Sequence, residues 1–200
     1  AIACENQLAG NPQSEWDVDG GGDPSIVGFT TDISVNAGST VQFKINTNAS
    51  SYSIDIYRMG YYQGNGARKV TSVTPSASLP QSQPACLSDS GTGLVDCGNW
   101  GTSASWAVPS SAVSGVYFAK IRRPDTGGAN HIVFVVRDDA SHSDVVFQTS
   151  DTTWQAYNKF GGNSFYAGAP AGRAYKLSYN RPFTTRSDVP DGRDWVFLVL

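Results

Sequence analysis

Short runs of alternating or apolar residues recur between turn signals from Ile26 to Arg137, and this pattern constrains the fold more than any other. The runs are IVGFTTDIS, STVQFKI, YSIDIYRM, ARKVTSV, ASWAV, GVYFAKIRR and NHIVFVVRD. Glycine and asparagine tolerate positive φ and proline ends strand pairing, so the stretches between the runs predict turns. Short strands at this spacing are typical of two packed sheets. We therefore predict a mainly β, immunoglobulin- or fibronectin-like β-sandwich over residues 26–138.

The segments on either side of this region differ from it. Residues 1–25 are polar and rich in turn residues, and we expect an irregular strap over the sandwich with Trp16 as its anchor. The polar run DDASHSD, residues 138–144, contains the boundary, and residues 139–200 begin a second, incomplete α/β domain. We expect strands there over DVVFQT and RAYKLSY. Two strands bury too little apolar surface to be stable alone, so this segment must pack on the sandwich or on residues outside the sequence.

The charge pattern and the length of the apolar runs argue against nucleic-acid binding and against a membrane-spanning helix. The net charge is −3, and lysines and arginines are scattered along the chain rather than forming a basic stripe that neutralises phosphates. No apolar run approaches the roughly 18 residues that a membrane-spanning helix needs. We therefore expect neither a nucleic-acid partner nor a membrane span.

The cysteines point to an oxidising compartment. Cys86 and Cys97 bracket the loop CLSDSGTGLVDC, and a disulfide between them would stabilise the fold by about 2 to 3 kcal/mol. This predicts a secreted, extracellular protein. The third cysteine, Cys4, is either a free thiol or the partner of a missing segment or another chain. Asn48 begins an Asn-Ala-Ser sequence, which is either a glycosylation site or an unmodified surface residue.

A tyrosine-rich stretch, IYRMGYYQGNGAR, suggests a binding function. It gathers Tyr57, Arg58, Tyr61 and Tyr62 beside flexible glycines. Tyrosine rings stack on sugar rings and their hydroxyls bond sugar oxygens, which favours a lectin-like, carbohydrate-binding module that recognises glycans. The alternative is that these side chains pack at strand ends and against the N-terminal strap.

Longer motifs resemble a known family. ENQLAGNPQSEWDV, IDIYRMGYYQGNGARKV, LVDCGNW, SGVYFAKI, HIVFVVRDD, FQTSDTTWQAYN and YNRPFTTR are similar to the N-terminal part of N,N-dimethylformamidase large (beta) subunit-like proteins. The resemblance implies a β-sandwich followed by a catalytic α/β domain akin to the glutamine amidotransferases, with an iron bound by two tyrosines and a glutamate. Tyr157, in WQAYN, corresponds to the first of these ligands. Trp154, Asn158, Gly161 and Gly162 would then surround it and shape its loop.

The resemblance implies a scaffold rather than a complete enzyme. In that family the second tyrosine and the glutamate lie beyond the position of Leu200, so we do not expect this chain to hold iron alone. We predict a secreted scaffold or accessory region of an iron-dependent amide hydrolase, with a missing C-terminal domain or a second chain as its partner. The apolar VFLVL that closes the sequence indicates either burial against such a partner or truncation of a longer chain. The carbohydrate-binding module remains the alternative.

Overall fold

The computed structural model describes residues 1–18 and 20–183 of the 200-residue chain, and within them the protein is mainly β. The strands are β1 Ile26–Thr30, β2 Ser34–Asn36, β3 Thr40–Thr47, β4 Ser53–Met59, β5 Ala67–Val73, β6 Leu87–Asp89, β7 Leu94–Asp96, β8 Ala104–Ala107, β9 Gly115–Arg122 and β10 Ala129–Arg137. Three short helices are α1 Ile2–Glu5, α2 Gln13–Trp16 and α3 Asp151–Tyr157, and 3₁₀ turns lie at Tyr62–Gly64 and Phe160–Gly162.

The strands form two larger sheets and one hairpin. β1, β3 and β8 make a three-stranded antiparallel sheet in the order β1-β3-β8. The second sheet has five strands in the order β2-β10-β9-β4-β5, in which β2 runs parallel to β10 and the other pairs are antiparallel. β6 and β7 form a separate antiparallel hairpin.

One apolar core joins the two larger sheets. Strand side chains alternate between two faces, and in β3 the buried set is Val41, Phe43 and Ile45. The Phe43 ring lies edge-on to Phe134 of β10 with the ring centroids 5.8 Å apart, and Trp106 of β8 lies 6.1 Å from Phe134 on another side. Burying each such side chain contributes roughly 1.5 to 3 kcal/mol. These contacts hold the two sheets face to face.

Residues 1–18 cross the face of the five-stranded sheet that is turned away from this core. The Trp16 ring packs 6.0 Å from Phe118, and its indole N–H donates to the carbonyls of Asn11 and Asn65. The backbone N–H of Asn11 donates to the carbonyl of Ala67 at 2.9 Å, so the N-terminal segment also pairs with the outer edge of β5.

Residues 138–183 contain no β pairing, so the strands expected at residues 144–149 and 173–179 do not form within them. Val145, Val146 and Phe147 are 82%, 87% and 63% exposed and belong to no strand. A β-prone run becomes a strand only where a neighbour satisfies its backbone, and no described strand pairs with this one. Helix α3 follows it directly. The rest of the expected α/β segment, residues 184–200, lies outside the described residues.

Replacing the ring at the centre of the core tests this packing. Phe134→Ala is expected to lower the free energy of unfolding by about 3 to 5 kcal/mol, because it removes a fully buried ring and leaves a cavity. Urea denaturation followed by circular dichroism would measure the change. Phe147→Ala removes an exposed ring and should stay within about 0.5 kcal/mol of the parent. Equal losses in the two variants would contradict this description of the core.

Candidate functional site

The predicted disulfide between Cys86 and Cys97 is present, and it closes the β6–β7 hairpin. Cys97 is fully buried and belongs to an apolar cluster with Phe29 and Trp100 on the outer face of the three-stranded sheet. The rings of Phe29 and Trp100 lie 5.7 Å apart, and Trp100 meets Phe160 edge-on at 6.3 Å. Because Phe160 follows α3, this cluster ties the segment after β10 to the sheet.

Hydrogen bonds attach the same segment to the hairpin. The Asn163 amide donates to the carbonyl of Gly93 at 2.8 Å, and the Ser178 hydroxyl donates to Asp96 at 2.6 Å. Burial would raise the pKa of the Asp96 carboxyl, but the hydrogen bonds from Ser178 and the Gly98 amide outweigh it and hold that pKa below its usual value. Asp96 is therefore ionised at neutral pH and accepts both hydrogen bonds.

Helix α3 turns one face inward. Trp154 and Gln155 are buried, and the Trp154 ring lies edge-on to Phe183 at 6.5 Å. Asn158, directly after the helix, is fully buried; its amide donates to the carbonyl of Pro182 at 2.9 Å, and its side-chain oxygen accepts from the Phe160 amide. These contacts fix both the end of α3 and the loop that follows it.

Arg181 is the largest fully buried side chain in the described part of the molecule. Its terminal nitrogens donate to the backbone carbonyls of Gln155, Phe160 and Asn163 at 2.8 to 3.2 Å. Burial lowers the pKa of the guanidinium to about 10, which leaves it charged at neutral pH. One cation therefore holds three points of the chain around α3.

Tyr157, the iron ligand implied by the resemblance, is the last residue of α3 and is 40% exposed. Its ring stacks on Tyr166, with centroids 4.4 Å apart and planes 19° from parallel. A hydrogen bond between the two side chains raises the pKa of the Tyr157 phenol. The site is thus a pair of stacked phenol rings on an open surface, above the buried shell made by Trp154 and Asn158.

The two glycines after α3 have distinct roles. Gly161 has φ +79° and lies so close to Val95 of β7 that a Cβ would approach the Val95 side chain to 2.7 Å. Gly162 also has positive φ, +89°, but nothing lies within 4 Å of its missing side chain. Gly161 is therefore required by both backbone and packing, and Gly162 by the backbone alone.

The described residues do not make a ferric site by themselves. Ferric iron prefers hard anionic oxygen donors, and only two neighbouring phenols, Tyr157 and Tyr166, meet at this surface. In residues 1–18 and 20–183 no group of three or more His, Cys, Asp and Glu side chains is arranged to hold a metal. Asp151, at the start of α3, instead accepts hydrogen bonds from Thr149 and Tyr179.

The tyrosine-rich loop offers less surface to a sugar than the sequence suggested. Tyr57 is buried and stacks on Phe118 at 5.3 Å, and Tyr62 is fully buried. Only Tyr61 among the loop's three tyrosines is exposed, at 69%. The rings of Tyr57 and Tyr62 are inaccessible because the N-terminal segment covers this face of the sheet.

Arg58 belongs to the network beneath that loop. It is buried, donates to the Tyr62 hydroxyl at 3.0 Å and also binds the carbonyls of Val113 and Ser114. The Tyr62 hydroxyl in turn donates to Glu5 at 2.8 Å. Tyr62 and Arg58 therefore connect α1 to the sheet rather than facing solvent.

The other two sequence candidates lie at the surface. Asn48 is exposed, and its side-chain oxygen accepts a hydrogen bond from Arg123 at 2.7 Å. Cys4 is an exposed free thiol.

Within the described ranges, no helix has the length and apolarity needed to cross a membrane.

Sequence reasoning missed Arg181, Gln155 and Tyr166 as parts of the site. Arg181 lies in YNRPFTTR, one of the motifs that carried the resemblance, and that motif was the available signal. Gln155 lies in WQAYN, another of these motifs, and that motif was its signal. Tyr166 had no comparable signal, because its stacking on Tyr157 depends on the path of the loop between them.

A protein-family model described as "N,N-dimethylformamidase beta subunit-like, C-terminal" matches residues 53–198. No curated protein matches the chain. Among solved structures, an uncharacterized protein from Bacillus anthracis str. Ames is similar over 55% of this chain and 84% of its own, with 13% identity and a TM-score of 0.35. VCBP3 domain 1 from Branchiostoma floridae is similar over 61% and 100%, with 12% identity and a TM-score of 0.33. A cellulose-active polysaccharide monooxygenase from M. thermophila is similar over 58% and 57%, with 12% identity and a TM-score of 0.28.

Removing the disulfide should loosen the segment that carries the phenol pair. Replacing both Cys86 and Cys97 by alanine is expected to cost about 2 to 3 kcal/mol of stability. Hydrogen exchange of the Tyr175 amide, which donates to the Thr92 carbonyl at 2.7 Å, should accelerate. Cys4→Ser is the matched control and should change neither quantity, since Cys4 is exposed and unbridged. Unchanged exchange at Tyr175 in the double variant would show that the hairpin does not support this segment.

Proposed function

The chain belongs to the N,N-dimethylformamidase beta subunit-like family, and from this we propose that it is a secreted scaffold region of an iron-dependent amide hydrolase. In this proposal an immunoglobulin-like β-sandwich carries the beginning of an α/β unit, and residues other than those described complete the catalytic site. The family match supports a relation to amide hydrolases. The disulfide supports an oxidising compartment, since such bridges rarely persist in the cytosol.

The observation that carries the proposal is the contrast between the two sides of α3. Trp154, Gln155 and Asn158 are buried and the guanidinium of Arg181 fixes the backbone around them, whereas Tyr157 stands exposed beside Tyr166. A side chain whose backbone is held rigidly while its polar end faces outward is suited to meet a group supplied from elsewhere.

We propose that Tyr157 supplies one oxygen donor to an iron whose other ligands lie outside the described residues. A phenolate is a hard anionic donor suited to ferric iron. Because its pKa is raised, Tyr157 would have to lose its phenolic proton before it could act as such a donor. The buried shell would keep the donor in position while the rest of the site forms around it.

An activity assay with and without metal separates a scaffold from a complete enzyme. The 200-residue chain with added ferric iron is expected to release no amine from dimethylformamide or other simple amides. Tyr157→Phe should leave this blank result unchanged. Tyr175→Phe is the control, because it removes another exposed phenol. If the chain turned over amides, and this activity disappeared in Tyr157→Phe but persisted in Tyr175→Phe, the chain would hold a complete site and the scaffold proposal would be wrong.

The same substitutions in the longest natural form of the protein test the role of Tyr157 itself. If Tyr157 is a ligand, Tyr157→Phe should lower iron content and amide turnover by about 100-fold. Mutating residues that only support metal ligands costs about 10- to 100-fold, and loss of a ligand should cost at least as much as the upper value. Tyr175→Phe should retain both. Full iron occupancy in Tyr157→Phe would exclude Tyr157 as a ligand.

Carbohydrate binding is the second candidate function, and exposed aromatic rings after α3 favour it. Tyr157, Phe165 and Tyr166 are all at least partly exposed on one short stretch of chain. Aromatic faces of this kind stack on sugar rings. A glycan panel should then detect binding that Tyr166→Ala abolishes and Tyr61→Ala retains. A blank panel for the parent protein would remove this candidate.

A further inference from the structure

Two buried N–H donors near α3 have no acceptor. They are the indole Nε1 of Trp154 and the Nε of Arg181, and neither has a hydrogen-bond partner in the described structure. The two residues are only 3% and 1% exposed, so bulk water does not solvate them. Leaving a buried donor unsatisfied costs about 1 to 3 kcal/mol, and more when the group is charged. A hydrogen-bond acceptor placed beside both donors would remove this cost.

Both residues line the same cavity. It lies between α3 and the edge formed by β1 and β10, and its volume is about 30 Å³. Its walls are mainly apolar, with Phe29, Ile132 and Phe183 among them. A cavity needs about 10 to 15 Å³ to admit one water-sized group, so this one has room for a group of one to a few atoms.

The charge of Arg181 favours an anion over a neutral occupant. Its terminal nitrogens all donate to backbone carbonyls, which are neutral, and its guanidinium makes no salt bridge with a described carboxylate. A buried charge without a counter-ion costs several kcal/mol. The guanidinium remains protonated at neutral pH even though burial lowers its pKa to about 10. Water would satisfy the donors but leave this charge uncompensated.

We propose that this cavity binds one small monovalent anion, of halide or formate size, which accepts hydrogen bonds from Trp154 Nε1 and Arg181 Nε. A volume of about 30 Å³ suits such a small anion better than a larger oxyanion. The anion would contact Trp154 of α3 and Arg181, and so connect the helix to the chain around Arg181. It would thus stabilise the shell beneath Tyr157, whether or not the chain takes part in amide hydrolysis.

Diffraction from bromide-containing crystals tests the position directly. Crystals of the 200-residue chain grown with sodium bromide are expected to show an anomalous peak within hydrogen-bonding distance of both nitrogens. A parallel arm with sodium formate should show planar density in the same place and indicates whether a carboxylate also fits. A cavity that holds only water at high bromide, or bromide found only at the outer surface, would overturn the proposal.

Thermal unfolding tests whether the anion is bound in solution. At constant ionic strength, replacing sodium gluconate by sodium bromide should raise the Tm of the parent protein. Trp154→Phe removes one donor while keeping an aromatic ring, and it should lose most of this rise. Trp100→Phe is the matched control, because Trp100 is also buried but its indole N–H donates to the Pro84 carbonyl at 2.9 Å.

The two tryptophan variants therefore separate anion binding from general packing. Both should have a lower Tm than the parent, but only Trp154→Phe should become insensitive to bromide. A bromide response of the same size in the two variants would overturn the proposal, as would no response in the parent. If Trp154→Phe does not fold, the anomalous peak in the parent crystals decides the question.

Discussion

The contact between the two sheets fixes the position of everything attached outside them. β1 illustrates this constraint, because all five of its residues are buried. Ile26 faces the shared core, whereas Val27 and Phe29 face outward into the cluster with Trp100. A slip of one residue in the pairing of β1 with β3 would exchange these two faces. The register set by the core therefore also decides whether the disulfide hairpin and the segment after β10 find their apolar support.

The two outer layers are held in different ways. The N-terminal layer relies on polar contacts at its ends, where Glu5 binds Arg68 at 2.6 Å and the Lys120 ammonium binds the carbonyl of Asp17. Burial would raise the pKa of Glu5, but hydrogen bonds from Arg68 and Tyr62 outweigh it and keep the carboxylate ionised. The layer after β10 relies on a covalent bridge and on Arg181. The N-terminal layer thus adds an ion pair to the packing of Trp16 on Phe118, whereas the layer after β10 is held around a buried cation.

The predictable parts of this protein were those encoded by local pattern. The alternation in STVQFKI and GVYFAKIRR predicted strands because one face of each is buried, and the short spacing of Cys86 and Cys97 predicted their bridge. Val145–Phe147 is also a β-prone apolar run, but no described strand pairs with it, and the run itself does not encode whether a partner is present. The burial of Tyr57 and Tyr62 likewise depends on residues about 50 positions earlier in the chain. The stacking of Tyr157 on Tyr166 and the cavity at Arg181 depend on a loop path that only packing against the hairpin defines.

The attachment of Asn11 to β5 concerns the behaviour of the protein among its own copies. β5 is the last strand of its sheet, and such an edge presents unpaired amides and carbonyls that recruit strands of other molecules. Asn11 occupies two of these groups, since its backbone N–H binds the Ala67 carbonyl and its side chain accepts from the Lys69 amide at 2.7 Å. The N-terminal segment thus covers part of the β5 edge, and without it the amide of Lys69 and the carbonyl of Ala67 would be open to pairing with a strand of another molecule.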